Sequence, residues 1–226
     1  NVGIGTSTPG SELDLGGGYM ANEQGRQDHV ANTMSSPYYR FDGGDDTIST
    51  DDGSNLNPSD TLSIVVWAKN DASTVSGNDD TLVSRYGASA QKNAWSLGIS
   101  DTGKLYTRHG NDYESVQHNT SDAVIDNADE WHMYTSVFDK GAVTLYMDSV
   151  LMPNTRTGVI IERLLLDATQ EMQIGSLEGA SHFWNGEISN VKVFNKVLSE
   201  AEIKSYYSGA SVPFKDTGGT TIGIDA

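Results

Sequence analysis

From Tyr38 onward the chain is built of short apolar runs separated by Gly, Asp, Asn and Ser. The runs are rich in β-branched and aromatic residues, the pattern of strands and turns. It predicts strands over residues 38–41 (YYRF), 46–50 (DTIST), 61–70 (TLSIVVWAKN), 81–87 (TLVSRYG), 94–100 (AWSLGIS) and 104–110 (KLYTRHG). Further strands are predicted over 131–139 (WHMYTSVFD), 142–152 (AVTLYMDSVLM), 171–175 (EMQIG) and 186–194 (GEISNVKVF). Two turns read as hairpins, one around Asp101-Thr102-Gly103 and one around Lys140-Gly141. Many short strands with little helix make an all-β, two-sheet antiparallel sandwich.

One short C-terminal helix interrupts the β pattern. Leu198-Ser199-Glu200-Ala201-Glu202-Ile203 has the form of a capping box with a hydrophobic staple. Ser199 would accept from the Glu202 backbone N–H, Glu202 would reach back, and Leu198 would pack on Ile203. Ile203, Tyr206 and Tyr207 fall on one face, and Gly209 ends the helix.

The flanks differ in composition. Residues 1–18 and 210–226 are rich in Gly, Ser and Thr and read as extended terminal arms around a domain at 19–209. Residues 19–37 carry no clear period. TIGI near the C-terminus echoes VGIG near the N-terminus. An arm with apolar residues at alternate positions can add to a sheet edge. It would do so on the domain's own surface, or on neighbouring subunits or copies of the chain through residues 1–17 and 212–226.

Charge narrows the function classes. Against 14 Lys+Arg stand 31 Asp+Glu, a net charge of −17, which repels nucleic-acid phosphates. Asp outnumbers Glu 21 to 10, as suits turns and hard-cation sites more than helices. There is no cysteine, hence no disulfide or thiolate zinc site. No apolar run approaches the roughly 20 residues that span a bilayer. The chain starts at Asn1 with no signal peptide, as a processed product or a piece of a longer polypeptide would.

The ordered motifs YYRFDGGDDTIS, TLSIVVWAK, AWSLGISDTGKLY, EWHMYTSVFDKGAVTLYMDS and FWNGEISNVKVFNKVLSEAEIKSYY resemble the laminin-G-like, concanavalin A-like lectin/glucanase jelly-roll superfamily. The resemblance covers about residues 38–209, and the closing segment from Phe183 carries most of its specificity. It implies a jelly-roll sandwich. One departure is Met147-Asp148-Ser149, where the superfamily usually has Asp-Gly, which is expected to loosen the turn. The N-terminal VGIGT-x-x-P is similar to segments of phage tail-fibre and bacterial surface proteins. That similarity implies an extracellular or virion-surface setting.

Candidate sites follow from the same stretches. Asp42-Gly43-Gly44-Asp45-Asp46 offers carboxylates and converging carbonyls, the oxygen donors calcium takes. The resemblance implies a calcium site with Asp45 or Asp46 and with Glu187 as partner. The same residues also suit a plain turn with solvated acids. Sugar binding needs aromatic faces beside planar polar groups, and Tyr86, Tyr106, Arg108, His109, Tyr113, His182 and Trp184 are the candidates. The stretch LYTRHGNDYESVQHN (105–119) mixes these types as a recognition surface would, whereas Trp67, Trp95 and Trp131 have the strand contexts of core residues.

Catalysis finds no matching motif. Glycosidases of this fold place carboxylates at alternate positions of one strand, but Glu162, Glu171, Glu178 and Glu187 are each isolated. No Gly-x-Ser-x-Gly elbow is present, and the five histidines lack metal-ligand spacing. The expectation is a non-enzymatic binding or structural module, with glycan adhesion as its activity. The alternative is an architectural subunit that assembles through its arms without a small ligand.

Overall fold

The computed structural model describes residues 2–3, 13–14, 38–50, 58, 60–71, 79–85, 95–110, 115–120, 122, 130–164, 171–177 and 181–209. Two antiparallel sheets form a jelly-roll sandwich. The six-stranded sheet has the order β12-β11-β10-β5-β15-β3. Its strands are β3 (Tyr39–Asp42), β5 (Thr61–Asn70), β10 (Trp131–Asp139), β11 (Ala142–Met147), β12 (Val150–Met152) and β15 (Asn185–Phe194). The seven-stranded sheet runs β13-β9-β8-β7-β6-β14-β4. It contains β4 (Ile48–Ser49), β6 (Asp80–Arg85), β7 (Trp95–Ile99), β8 (Leu105–Gly110), β9 (Ser115–Thr120), β13 (Asn154–Gly158) and β14 (Gln173–Ile174). Two short strands in the N-terminal arm, β1 (Val2–Gly3) and β2 (Leu13–Asp14), pair in parallel with each other. The rest of both arms lies outside the described residues, as do the assembly contacts expected of them.

Strand periodicity sorts side chains into two cores. On β5, Leu62, Ile64, Val66 and Ala68 enter the core between the sheets, where they meet Trp95, Leu97, Ile99 and Leu105 from the opposite sheet. Val65 and Trp67 point the other way, under the helix α1 (Glu200–Gly209). β10 divides likewise, with Tyr134 and Phe138 inside and Trp131, Met133 and Val137 under the helix. A strand buried on both faces needs a nearly unbroken apolar sequence, and TLSIVVWAKN supplies it.

The helix closes this second core as its sequence predicts. Ser199 N donates to Glu202 Oε2 at 2.8 Å, and Glu202 N donates back to Ser199 Oγ at 3.3 Å. Leu198 and Ile203 are buried together, and Tyr207 stacks on Trp67 with ring centroids 5.6 Å apart. Ser63 Oγ ties the approach to the helix down, donating to Lys196 O and accepting from Leu198 N.

Both predicted hairpins form, with Ile99 opposite Leu105 and Asp139 opposite Ala142. Three features differ from the sequence expectation. The run 142–152 is two strands, split at Asp148 and Ser149, which both have positive φ (51° and 65°) as a tight hairpin turn needs. The turn is not loosened, because Asp148 Oδ1 accepts from Met133 N at 2.8 Å and Asp148 N donates to Met133 O at 2.9 Å. His132 Nδ1 meets the other carboxylate oxygen at 2.7 Å. In addition, β9 (SVQHNT) and β13 (NTRTG) are strands that their polar sequences did not announce. They lie at one edge of the seven-stranded sheet, where little apolar burial is required.

Gly175, at the end of β14, is required where it stands. Its φ is +86°, and a Cβ there would lie 2.2 Å from Phe41 Cε1. Phe41 is thereby packed against the strand that joins the sheet carrying β4 and β6.

Candidate functional site

The outer face of the seven-stranded sheet is polar. Trp95, Leu97 and Ile99 of β7 and Leu105 of β8 face the inter-sheet core, so their alternates face outward. Directly paired residues share a face. Cross-strand register therefore lays out two rows over five strands. One row is Ser84, Ser96, Arg108, Gln117 and Thr157, and the other is Thr81, Gly98, Tyr106, Asn119 and Thr155.

The rows are joined by side-chain contacts. Arg108 Nε donates to Gln117 Oε1 at 2.8 Å, and Gln117 Nε2 donates to Asn119 Oδ1 at 2.9 Å. The guanidinium carbon of Arg108 sits 4.9 Å from the centre of the Tyr106 ring, a cation–π geometry. Its Nη2 pairs with Asp79, whose other oxygen accepts from Asp101 N at 3.2 Å. Gly98 leaves room for the Tyr106 ring, since a Cβ there would stand 2.8 Å from Tyr106 Cε1 and Oη and 2.3 Å from Asp80 O. The Tyr106 hydroxyl meets Thr81 Oγ1 at 3.0 Å.

Electrostatics follow from burial. Burial pushes the Tyr106 phenol up to about 12, so it stays a neutral hydroxyl. Asp80, buried and beside Asp79, is pushed up to about 7, with burial the larger cause. Arg108, Asp79, Gln117 and Asn119 are only half-buried. They present a planar guanidinium, a carboxylate and two amides as one hydrogen-bonding surface over an aromatic floor.

The candidate ligand residues separate by strand phase. Tyr106 and Arg108 are brought together on the outer face, but the Tyr106 ring is fully buried beneath the guanidinium, which corrects the expectation that it touches a ligand. His182, half-buried, hydrogen-bonds Ser181 Oγ through Nδ1 at 2.9 Å, and its carbonyl accepts from Thr81 N at the end of one row. His109 and Trp184 correct the expectation. Both are fully buried, Trp184 in the inter-sheet core and His109 stacked 4.5 Å from Phe138, so neither side chain is presented to solvent. Tyr86 and Tyr113 lie outside the described residues. Gln117, Asn119 and Asp79 were missed. For the two amides the available signal is the alternation Val-Gln-His-Asn in β9, which turns both to one side.

The acidic corner is a separate feature. Ligand atoms of Asp42, Asp45 and Asp46 lie within 4.8 Å of one another, and all three residues are exposed. That spacing is about twice a calcium–oxygen distance, and carboxylate oxygens are the donors calcium takes, so the set fits a calcium ion chemically. One oxygen of Asp42 accepts from Gly44 N at 2.7 Å, and one of Asp46 accepts from Asp42 N at 3.0 Å, which are turn bonds. Glu187 does not join the cluster. It does neighbour β3, opposite Arg40, but its buried carboxylate is engaged by Arg40 Nη1 at 2.9 Å and Lys69 Nζ at 3.0 Å. Two cations already neutralise it, which corrects the expectation of a metal ligand.

A family model described as the concanavalin A-like lectin/glucanases superfamily matches residues 42–204. The chain belongs to this superfamily. No curated protein matches it in sequence. Solved structures of the same fold include a Ruminococcus gnavus IT-sialidase CBM40 bound to alpha2,3 sialyllactose, at 14% identity and TM-score 0.56, covering 76% of this chain and 98% of that one. The receptor binding domain of botulinum neurotoxin mosaic serotype C/D is similar at 20% identity and TM-score 0.61, covering 84% of this chain and 46% of that one. A heptameric SAP-like pentraxin from Limulus polyphemus is similar at 13% identity and TM-score 0.51, covering 75% of this chain and 81% of that one. At these identities the likeness is one of fold. Among the described residues, no helix of this superfamily member is long and apolar enough to cross a membrane.

Proposed function

We propose that this chain is a non-catalytic glycan-binding module that acts in an extracellular or virion-surface setting. The supporting observation is the Arg108–Gln117–Asn119 hydrogen-bond chain laid over the Tyr106 ring, half-open to solvent on the outer face of the seven-stranded sheet. Sugars carry hydroxyl edges, and such a surface offers amide and guanidinium groups to hydrogen-bond them. Two neighbours of the same fold, the CBM40 with alpha2,3 sialyllactose and a botulinum neurotoxin type C whose cell entry depends on two ganglioside molecules, support the ligand class. Against catalysis, Asp79 and Asp80 are consecutive and point to opposite faces, and Glu187 is held between two cations.

Calcium enters the reading as a structural ion on Asp42, Asp45 and Asp46. β4 lies four strands from β8 in the sheet order, roughly 19 Å at the usual strand spacing. An ion there would brace the corner of β3 and β4 and not touch a sugar at Arg108.

The test is a glycan array probed with the full chain, in calcium and in EDTA, beside Arg108→Ala. Reproducible hits that weaken at least tenfold in the variant support the reading. A blank array for the folded wild type removes it. Assembly through residues 1–17 and 212–226 is the rival reading, tested by the oligomeric state of the chain with and without those segments.

A further inference from the structure

We infer that the outer-face site selects neutral glycans and discriminates against sialylated or sulfated ones. This rests on the glycan-binding reading above and specifies its ligand class. An anionic sugar needs a cation with charge to spare. Arg108 is the cation at the centre of the site, and its Nη2 is paired with Asp79 while its Nε is spent on Gln117. Asp79 is itself held in place by Asp101 N and lies with its side chain mostly covered, so the pair is fixed.

The remaining charges near this surface do not reverse the balance. Lys104, half-buried, immediately precedes β8. Against Arg108 and Lys104 stand Asp79 and Asp101, since Asp80 is buried opposite the core residue Ile99. The whole chain adds a field of −17, which lowers the local concentration of any anion. The other solvent-accessible groups on the two rows are neutral amides and hydroxyls from Gln117, Asn119, Thr155 and Thr157. They suit hydroxyl edges, whereas a carboxylate or sulfate would face Asp79 across the guanidinium. Like charges brought together without compensation are how an interface rejects a partner.

The experiment compares matched pairs on a glycan array, each a neutral oligosaccharide and its sialylated or sulfated form, lactose against alpha2,3 sialyllactose among them. The full chain is probed at low and at high salt, together with Asp79→Asn. The inference expects the neutral member to bind at least about tenfold better at low salt, with the gap narrowing as salt screens the carboxylates. Asp79→Asn frees the Arg108 charge and should narrow the gap further. If that variant unfolds, the salt dependence of the wild type carries the test alone. Equal or tighter binding of the charged members by the wild type overturns this inference and leaves the glycan-binding reading standing. No binding to either member overturns the glycan-binding reading, and this inference with it.

Discussion

Each sheet has a face turned away from the shared core, and the two outer faces are built differently. On the six-stranded sheet, Val65, Trp67, Trp131, Met133 and Val137 are apolar and lie under α1. On the seven-stranded sheet the corresponding positions are Ser84, Ser96, Gly98, Tyr106, Arg108, Gln117 and Asn119. An apolar outer face must be covered, and the cover removes it from recognition. On the seven-stranded sheet Ser84, Ser96, Gly98 and Tyr106 are also buried, and only the hydrogen-bonded Arg108, Gln117 and Asn119 stay half-open to solvent. The sandwich thus assigns stability to one outer face and ligand contact to the other.

The sharpest way to break this contrast is to remove the key apolar residue. Trp67 is 2% exposed and stacks on Tyr207. Trp67→Ala should cost about 3–5 kcal/mol of unfolding free energy by chemical denaturation, as large core truncations do. Glycan affinity of the fraction that remains folded should be unchanged. Arg108→Ala should do the opposite. Loss of charge-assisted hydrogen bonds worth about 1.5–3 kcal/mol should weaken binding roughly tenfold to a hundredfold. The melting temperature should move little, because the guanidinium is half-open to solvent.

The pH profile of stability sharpens the comparison further. Burial, then the neighbouring charge of His118, lowers His109 from 6.5 to about 3. Between these values the unfolded chain takes up a proton that the folded chain refuses, so stability should fall as pH drops from about 6.5 toward about 3. Asp80 has the opposite sign. Its folded pKa is raised from 3.8 to about 7, so the folded chain holds the extra proton, and the stability this gives is lost as pH rises through that window. Neither slope should exceed about 1.4 kcal/mol per pH unit. Because the two windows overlap, the opposed slopes largely cancel between about pH 4 and about 6.5, so His109→Phe should unmask stability that falls as pH rises and Asp80→Asn stability that rises with pH, both read from melting curves across pH. The smallest effect belongs to the helix cap. Ser199→Ala removes the capping box and should cost about 1 kcal/mol, with no change in ligand binding.

The covered face was the more legible of the two. TLSIVVWAKN and WHMYTSVFD match β5 and β10 residue for residue, because strands buried on both sides carry a dense apolar code. The capping box likewise fixed the helix start. The open face was legible in composition but not in phase. LYTRH was read as one surface, yet Leu105, Thr107 and His109 point inward while Tyr106 and Arg108 point outward. A period of two separates neighbours, and only the pairing register tells which set faces which way. Gln117, Asn119 and Asp79 escaped notice because they join Arg108, Asn119 through Gln117, only when β9 and the start of β6 are laid beside β8. Glu187 was placed beside the correct strand, but its cationic partners, Arg40 and Lys69, come from two other strands.

The most direct measurement is a backbone amide NMR titration of the full chain with a neutral glycan chosen from the array. The account predicts chemical-shift changes concentrated in β8 and β9, residues 105–110 and 115–120, with α1 silent. Changes centred on α1 and the six-stranded sheet would contradict the division of labour between the two faces.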